Sequence, residues 1–133
     1  MKDPDSEKLF DYAHEQLGKR LPTDTFSGGQ RSCKGCEGKV FKVVVETHEE
    51  SEPDNFAGRI LSTCVACGEE VDALGVYGAP REAAQTRRAG CKCGSDSFAI
   101  VQVVRFDEGF FDNGVIVAGC AKCGKEEILA RTE

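Results

Sequence analysis

A chain of 133 residues with a formal charge of −6, from 23 acidic and 17 basic side chains, is a poor general binder of nucleic acid. Neutralising phosphates with Lys and Arg supplies most non-specific affinity, and here the long-range field has the wrong sign. No apolar run approaches the roughly 18 residues of a membrane-spanning helix, and no basic stretch with an apolar core opens the chain.

The first predicted element is a helix over residues 3–21. Asp3 can cap it and Pro4 suits the first helical position. Leu9, Phe10, Ala13, Leu17 and Leu21 form an apolar stripe, and Gly18 and Pro22 mark the exit. Such a stripe is expected to pack on a sheet; the alternative is an exposed docking or dimer-contact helix. Residues 23–32, rich in Gly, Ser and Thr, read as a flexible connector that completes an N-terminal segment, 1–32.

From Cys33 onward the cysteines set the pattern. Cys33-Lys-Gly-Cys36 is followed by Cys64-Val-Ala-Cys67. Cys91-Lys-Cys93 is followed, at almost the same separation, by Cys120-Ala-Lys-Cys123, and none of the 8 cysteines is left over. Two close cysteines can aim their thiolates at one cation, and two such pairs complete a tetrahedral shell. Cysteines this close rarely bridge each other, and a cytoplasmic chain keeps its thiols reduced. A redox pair would open a helix, whereas two of these pairs run into strand-like sequence. The eight residues Cys33, Cys36, Cys64, Cys67, Cys91, Cys93, Cys120 and Cys123 are therefore expected to hold two structural Zn²⁺ per chain. Iron in a rubredoxin-like site is the alternative that spacing excludes least. Two such sites take the formal charge to about −10.

The cysteine sets define a repeat. Phe41-Lys-Val-Val-Val45 begins five residues after Cys36, and Phe98-Ala-Ile-Val-Gln102 begins five after Cys93. Gly58 and Gly114 stand six before Cys64 and Cys120, and Gly68 and Gly124 follow the last cysteine of each set. One structural unit is thus used twice. Each has a long strand (Val40–Thr47; Ser97–Phe106), a polar turn (His48–Ala57; Asp107–Asn113), a second strand (Arg59–Thr63; Val115–Gly119) and a third (Val71–Val76; Glu127–Ala130). Alternation puts Phe98, Ile100, Gln102 and Val104 on one face and Ala99, Val101 and Val103 on the other. A unit of about 45 residues lies near the size at which apolar burial needs a metal. The expected boundaries are a first unit at 33–80, a linker at 81–90 with a short helix over Pro80–Arg88, and a second unit at 91–133.

With two cysteine knuckles holding three strands, residues 33–76 and 91–130 resemble the zinc-ribbon family. The second knuckle of that family is often Cys-Pro-x-Cys-Gly. Here Val65 and Ala121 replace the proline, the glycines remain, and the Cys91-x-Cys93 knuckle is one residue short. The resemblance implies a small metal-bound, mainly β fold (α+β overall): two tandem three-stranded antiparallel zinc ribbons with an N-terminal helix.

His14 and His48 are not needed as ligands once eight cysteines fill two shells. Closed four-cysteine sites leave no open coordination position, and no HExxH helix or Gly-rich phosphate loop is present, so the chain is expected not to be an enzyme. Asp107-Glu108, at the predicted tip of the second hairpin, resembles the Asp-Glu pair with which zinc ribbons of transcript-cleavage factors help a polymerase hold magnesium. The sequence that follows, Gly109-Phe110-Phe111, departs from that family, and acidic residues are also ordinary in turns. Phe110 and Phe111 are candidates for a protein-binding or base-stacking tip, although at least one is expected to pack on the thin sheet.

Function is expected to be macromolecular interaction in the cytoplasm, with a protein partner foremost and neither membrane nor small-molecule substrate. The competing class is a transcription- or translation-associated nucleic-acid binder. It would use the linker and second ribbon, where Arg81, Arg87, Arg88, Lys92 and Arg105 lie, and it includes a polymerase accessory factor acting through Asp107 and Glu108.

Overall fold

The apolar runs that begin at Phe41 and Phe98 become the central strands of one antiparallel sheet. The structure is a computed structural model and describes residues 6–17, 24–33, 35–48, 56–76 and 85–132. Its elements in chain order are α1 (Ser6–Leu17), β1 (Asp24–Gln30), β2 (Phe41–Thr47), β3 (Gly58–Cys64), β4 (Glu70–Val76), β5 (Gln85–Arg88), β6 (Phe98–Asp107), β7 (Phe110–Cys120) and β8 (Glu126–Thr132). The strands run in the order β4-β3-β2-β6-β7-β8, with β1 paired to β6 and β5 paired to β2. Among the described residues no helix is long and apolar enough to cross a membrane.

Two segments differ from the sequence expectation. The connector expected at 23–32 contains strand β1, and the linker expected to be helical ends in strand β5; residues 81–84 lie outside the described residues. Neither strand carries an alternating apolar pattern. β1 is Asp-Thr-Phe-Ser-Gly-Gly-Gln, and all four residues of β5 are exposed. They are strands because the edges of β6 and β2 offer unpaired backbone groups, and a long-range partner outweighs weak local preference. At Gly28 a side chain would not fit, since a Cβ there would lie 2.8 Å from the Gln102 carbonyl oxygen and 3.2 Å from Val103.

The pairings place the two halves of the chain around an approximate two-fold axis. At its centre Phe41 on β2 is paired with Phe98 on β6, its own counterpart in the repeat. Gln30 and Arg88 each stand three residues before the first cysteine of a set; Gln30 pairs with Val101, and Arg88 with Val44. Val44 and Val101 are themselves counterparts. The next bonds repeat the relation, Arg31 N–H donating to Ile100 O at 2.8 Å and Ala89 N–H to Val43 O at 2.9 Å. Each half thus lends its leading strand to the other.

The cores follow from this exchange. One buried cluster takes Phe41, Val43, Val45, Ile60 and Cys64 from the first half and Phe98, Ile100, Ile116, Ala118, Cys120 and Leu129 from the second. The units expected as separate modules therefore share a core. The opposite face of β6 and β7 (Ala99, Val101, Val103, Val115, Val117) packs on Leu9, Ala13 and Leu17 of α1. The expected alternation holds, and both faces of β6 are buried because each meets a different partner. Of the expected helix 3–21, residues 3–5 and 18–21 lie outside the described residues.

Sequence explains why α1 covers only the second half. Gly119 lets Leu9 approach, since a Cβ there would lie 3.3 Å from a Leu9 methyl. The corresponding position in the first half is Thr63, and those of Ala99, Val103 and Val115 are Lys42, Glu46 and Arg59. A helix laid there would bury charges.

The second hairpin turns more tightly than the expected Asp107–Asn113. Asp107 pairs with Phe110, leaving Glu108 and Gly109 as the turn. Their φ values of 51° and 86° are those a two-residue turn of the primed kind requires. Asp112 is the extra residue between the Phe106–Phe111 and Arg105–Asn113 pairs, and Arg105 Nε donates to its carboxylate at 3.0 Å. A β-bulge thus absorbs the Asp-Asn-Gly sequence that reads as turn.

Candidate metal centres

Each cysteine set is built from one knuckle entering a long strand and one ending a middle strand. In the first half Cys33 N–H donates to Gly38 O at 2.7 Å, and Glu37 N–H to Cys33 O at 2.8 Å. The shorter knuckle of the second half closes on Cys91 N–H to Ser95 O and Gly94 N–H to Cys91 O, both 2.9 Å. The later knuckles match closely. Cys64 N–H reaches Glu69 O at 2.9 Å and Gly68 N–H reaches Cys64 O at 2.8 Å, while Cys120 N–H to Lys125 O and Gly124 N–H to Cys120 O are both 2.9 Å. Gly68 and Gly124, expected to serve the turn, have φ of 78° and 80°.

The sulfurs converge as the spacing predicts. Cys33, Cys36, Cys64 and Cys67 form one group and Cys91, Cys93, Cys120 and Cys123 the other, with all four Sγ atoms of each group within 4.8 Å of one another. Cys33 Sγ lies 3.5 Å from Cys67 Sγ and Cys36 Sγ 3.5 Å from Cys64 Sγ; the matching distances are 3.4 Å for Cys91–Cys123 and 3.5 Å for Cys93–Cys120. A tetrahedral metal with bonds of ~2.3 Å to sulfur needs edges of ~3.8 Å, so each group fits one ion with small adjustment. All eight thiols are free. Cys33, Cys64 and Cys120 are buried, whereas Cys36, Cys67, Cys93 and Cys123 face solvent.

Backbone amides favour one thiolate in each group. The Cys67 amide, aided by that of Ala66 and by the Cys36 thiol, brings Cys64 down to about 7 against burial. Burial pushes Cys120 up, but the amides of Cys123 and Lys122 outweigh it and bring the thiol down to about 6. The Glu69 and Ser95 amides favour thiolates at Cys67 and Cys93. Even so, the neighbouring thiols, Cys33 and Cys36 for one and Cys91 for the other, help push these up to about 12 and about 11. A metal must displace the protons that remain, so its affinity falls as pH falls.

Two residues that sequence reasoning did not single out shape the first site. Glu69 Oε2 accepts from Cys33 Sγ at 3.5 Å, and the residue that follows the knuckle glycine in the second half is Lys125. Glu37 has a φ of 63°, where its counterpart Gly94 has 94°. An L-residue there costs about 1–2 kcal/mol and Gly loses about 0.5–1 kcal/mol of chain entropy. Glu37→Gly should therefore stabilise the metal-loaded protein by about 0.5–1 kcal/mol, read as a higher midpoint of urea unfolding.

Other candidates fall outside these groups. His14 meets Phe26 edge-on at 4.8 Å, His48 is buried, and neither joins a sulfur cluster. Asp107 is partly buried and Glu108 is exposed at the hairpin tip. Phe110 does not pack back: at the end of the hairpin it is 78 % exposed. The Phe111 side chain and Arg81 lie outside the described residues. Arg87, Arg88 and Lys92 are exposed, and Arg105 is held by Asp112.

Comparison of the chain with protein-family models, with curated proteins and with solved structures gives no match.

Proposed function

We propose that this protein is a non-enzymatic, cytoplasmic zinc-binding module of two tandem zinc-ribbon units that acts by macromolecular interaction, with protein as its partner. The observation that carries this reading is the closure of eight sulfurs into two four-sulfur shells with no His or carboxylate ligand among the described residues. Such a shell supports structure, since a catalytic zinc keeps a position open. Zinc is favoured over iron by its preference for closed thiolate sites that hold a small fold together. Free thiols throughout suit a reducing compartment.

Two further features support an interaction role. Two clefts among the described residues, beside Cys91 at about 150 Å³ and beside Gly29 and Arg31 at about 190 Å³, are smaller than the usual range for small-molecule sites. Phe110 presents an exposed apolar ring beside a two-residue turn, the kind of anchor that dominates protein contacts. α1 serves the fold, since Leu9, Ala13 and Leu17 of its apolar stripe are already covered.

The competing reading, nucleic-acid binding, is favoured by the exposed Arg87 and Arg88 on β5. In that reading the Asp107-Glu108 tip is available to a polymerase accessory role. Retention of the zinc-loaded protein on single-stranded and duplex DNA at graded salt separates the two. The protein-partner reading expects elution well below physiological salt and no change on Arg87→Glu with Arg88→Glu. Tight retention at physiological salt that this pair of changes abolishes, with a salt slope lower by about two units, would favour nucleic acid instead.

A further inference from the structure

The four cysteines of each metal centre lie in one half of the chain, but the strand that leads into each first knuckle is bonded to the other half. Strand β1 is hydrogen-bonded to β6 in the second half, and three residues after it comes Cys33; of the partner cysteines, Cys64 ends β3 in the first half and Cys67 lies in the turn after it. Strand β5 is bonded to β2 in the first half, and three residues after it comes Cys91; Cys120 ends β7 in the second half and Cys123 lies in the turn after it. A metal in the first centre therefore clasps a strand held by the second half to a strand of the first, and a metal in the second centre does the reverse. Both clasps close over the same buried cluster, which includes Cys33, Cys64 and Cys120 themselves.

From this we infer that the two centres load cooperatively: a metal in either one raises the affinity of the other. The inference rests on the reading of both sulfur groups as metal sites. The physical route is ordering. Binding at the first centre fixes β1 on β6, and β6 begins five residues after Cys93, so the entry to the second centre is ordered at the same time. By the approximate two-fold relation, binding at the second centre fixes β5 on β2, which begins five residues after Cys36. A second metal finds part of its ordering cost already met. Linkage requires the coupling to be equal in both directions. The full chain then passes from empty to doubly loaded with the one-metal form suppressed.

The solvent-facing ligands allow a clean test. Cys36→Ser with Cys67→Ser removes the first centre, and Cys93→Ser with Cys123→Ser removes the second. Neither pair touches the buried Cys33, Cys64 or Cys120. Zinc competition against a chromogenic chelator gives the constant of each surviving centre and the overall two-metal constant of the unsubstituted chain. The overall constant should exceed the product of the two single-centre constants by on the order of tenfold or more. A ratio of one would overturn the inference. A third variant, Arg31→Pro, keeps all eight cysteines and removes the N–H that bonds Ile100 O at 2.8 Å. Native mass spectrometry of this variant at half-saturating zinc should show more of the one-metal form than the parent; an unchanged distribution counts against the inference. A chain that binds no zinc, or only one ion when zinc is in excess, would overturn the metal-site reading along with it. Independent binding of two ions would overturn the coupling alone.

Discussion

Chelation of a metal ion from each centre should unfold the strands of the two halves together, with loss of dispersed amide signals from β1 through β8. Each closed thiolate site supplies on the order of 10 kcal/mol of apparent binding energy, which becomes folding energy. A domain of this size has a net stability of roughly 5–15 kcal/mol, so loss of two sites exceeds what remains. The architecture decides that the loss is common to both halves. The cluster that contains Phe41, Val43 and Ile60 also contains Phe98, Ile100 and Ile116, and three of the eight thiols lie inside it. Opening the knuckles therefore exposes core residues of both halves at once. Restoring zinc should restore the spectrum. A metal-free chain that retained native dispersion in either half would contradict this account.

Phe98→Ala should destabilise the metal-loaded protein by about 3–5 kcal/mol, the usual cost of emptying a fully buried aromatic site. Phe98 is 1 % exposed and Phe41 0 %, and the two are paired across the axis that relates the halves. Phe41→Ala should cost a similar amount. Because these residues belong to one cluster, the double substitution should depart from the sum by about 0.5 kcal/mol or more. Urea unfolding of the zinc-loaded variants reads all three values. Phe110→Ala, at an exposed tip, is the control and should change stability by less than about 0.5 kcal/mol. Equal costs at Phe98 and Phe110 would show that the axis is not the centre of the core.

Much of the site was legible in the sequence because metal ligands act at short spacing. The two groupings of eight cysteines and the glycine after each later knuckle are short-range signals, and the structure brings each set of four sulfurs together; the match between Phe41 and Phe98 marked the repeat but not that the two would pair. The stripe of α1 was legible for the same reason, as was the alternation of β6. The strands that join the halves were not. β1 holds two glycines and a serine, β5 is wholly exposed, and each exists because its partner strand lies in the other half. Composition correctly describes such segments as weak in isolation. It says nothing about a pairing edge far away along the chain, as Val101 is from Gln30. The hairpin tip was legible at Asp107-Glu108, but the turn was read as running on to Asn113, because the polar Asp112-Asn113 that the bulge takes into β7 looks like turn sequence.

The most direct measurement is a metal count per chain combined with X-ray absorption at the zinc edge. The account predicts two zinc ions per chain, each with four sulfur neighbours at ~2.3 Å and no nitrogen or oxygen in the first coordination sphere. One ion per chain, a majority of iron, or a shell that mixes sulfur with histidine nitrogen would contradict it.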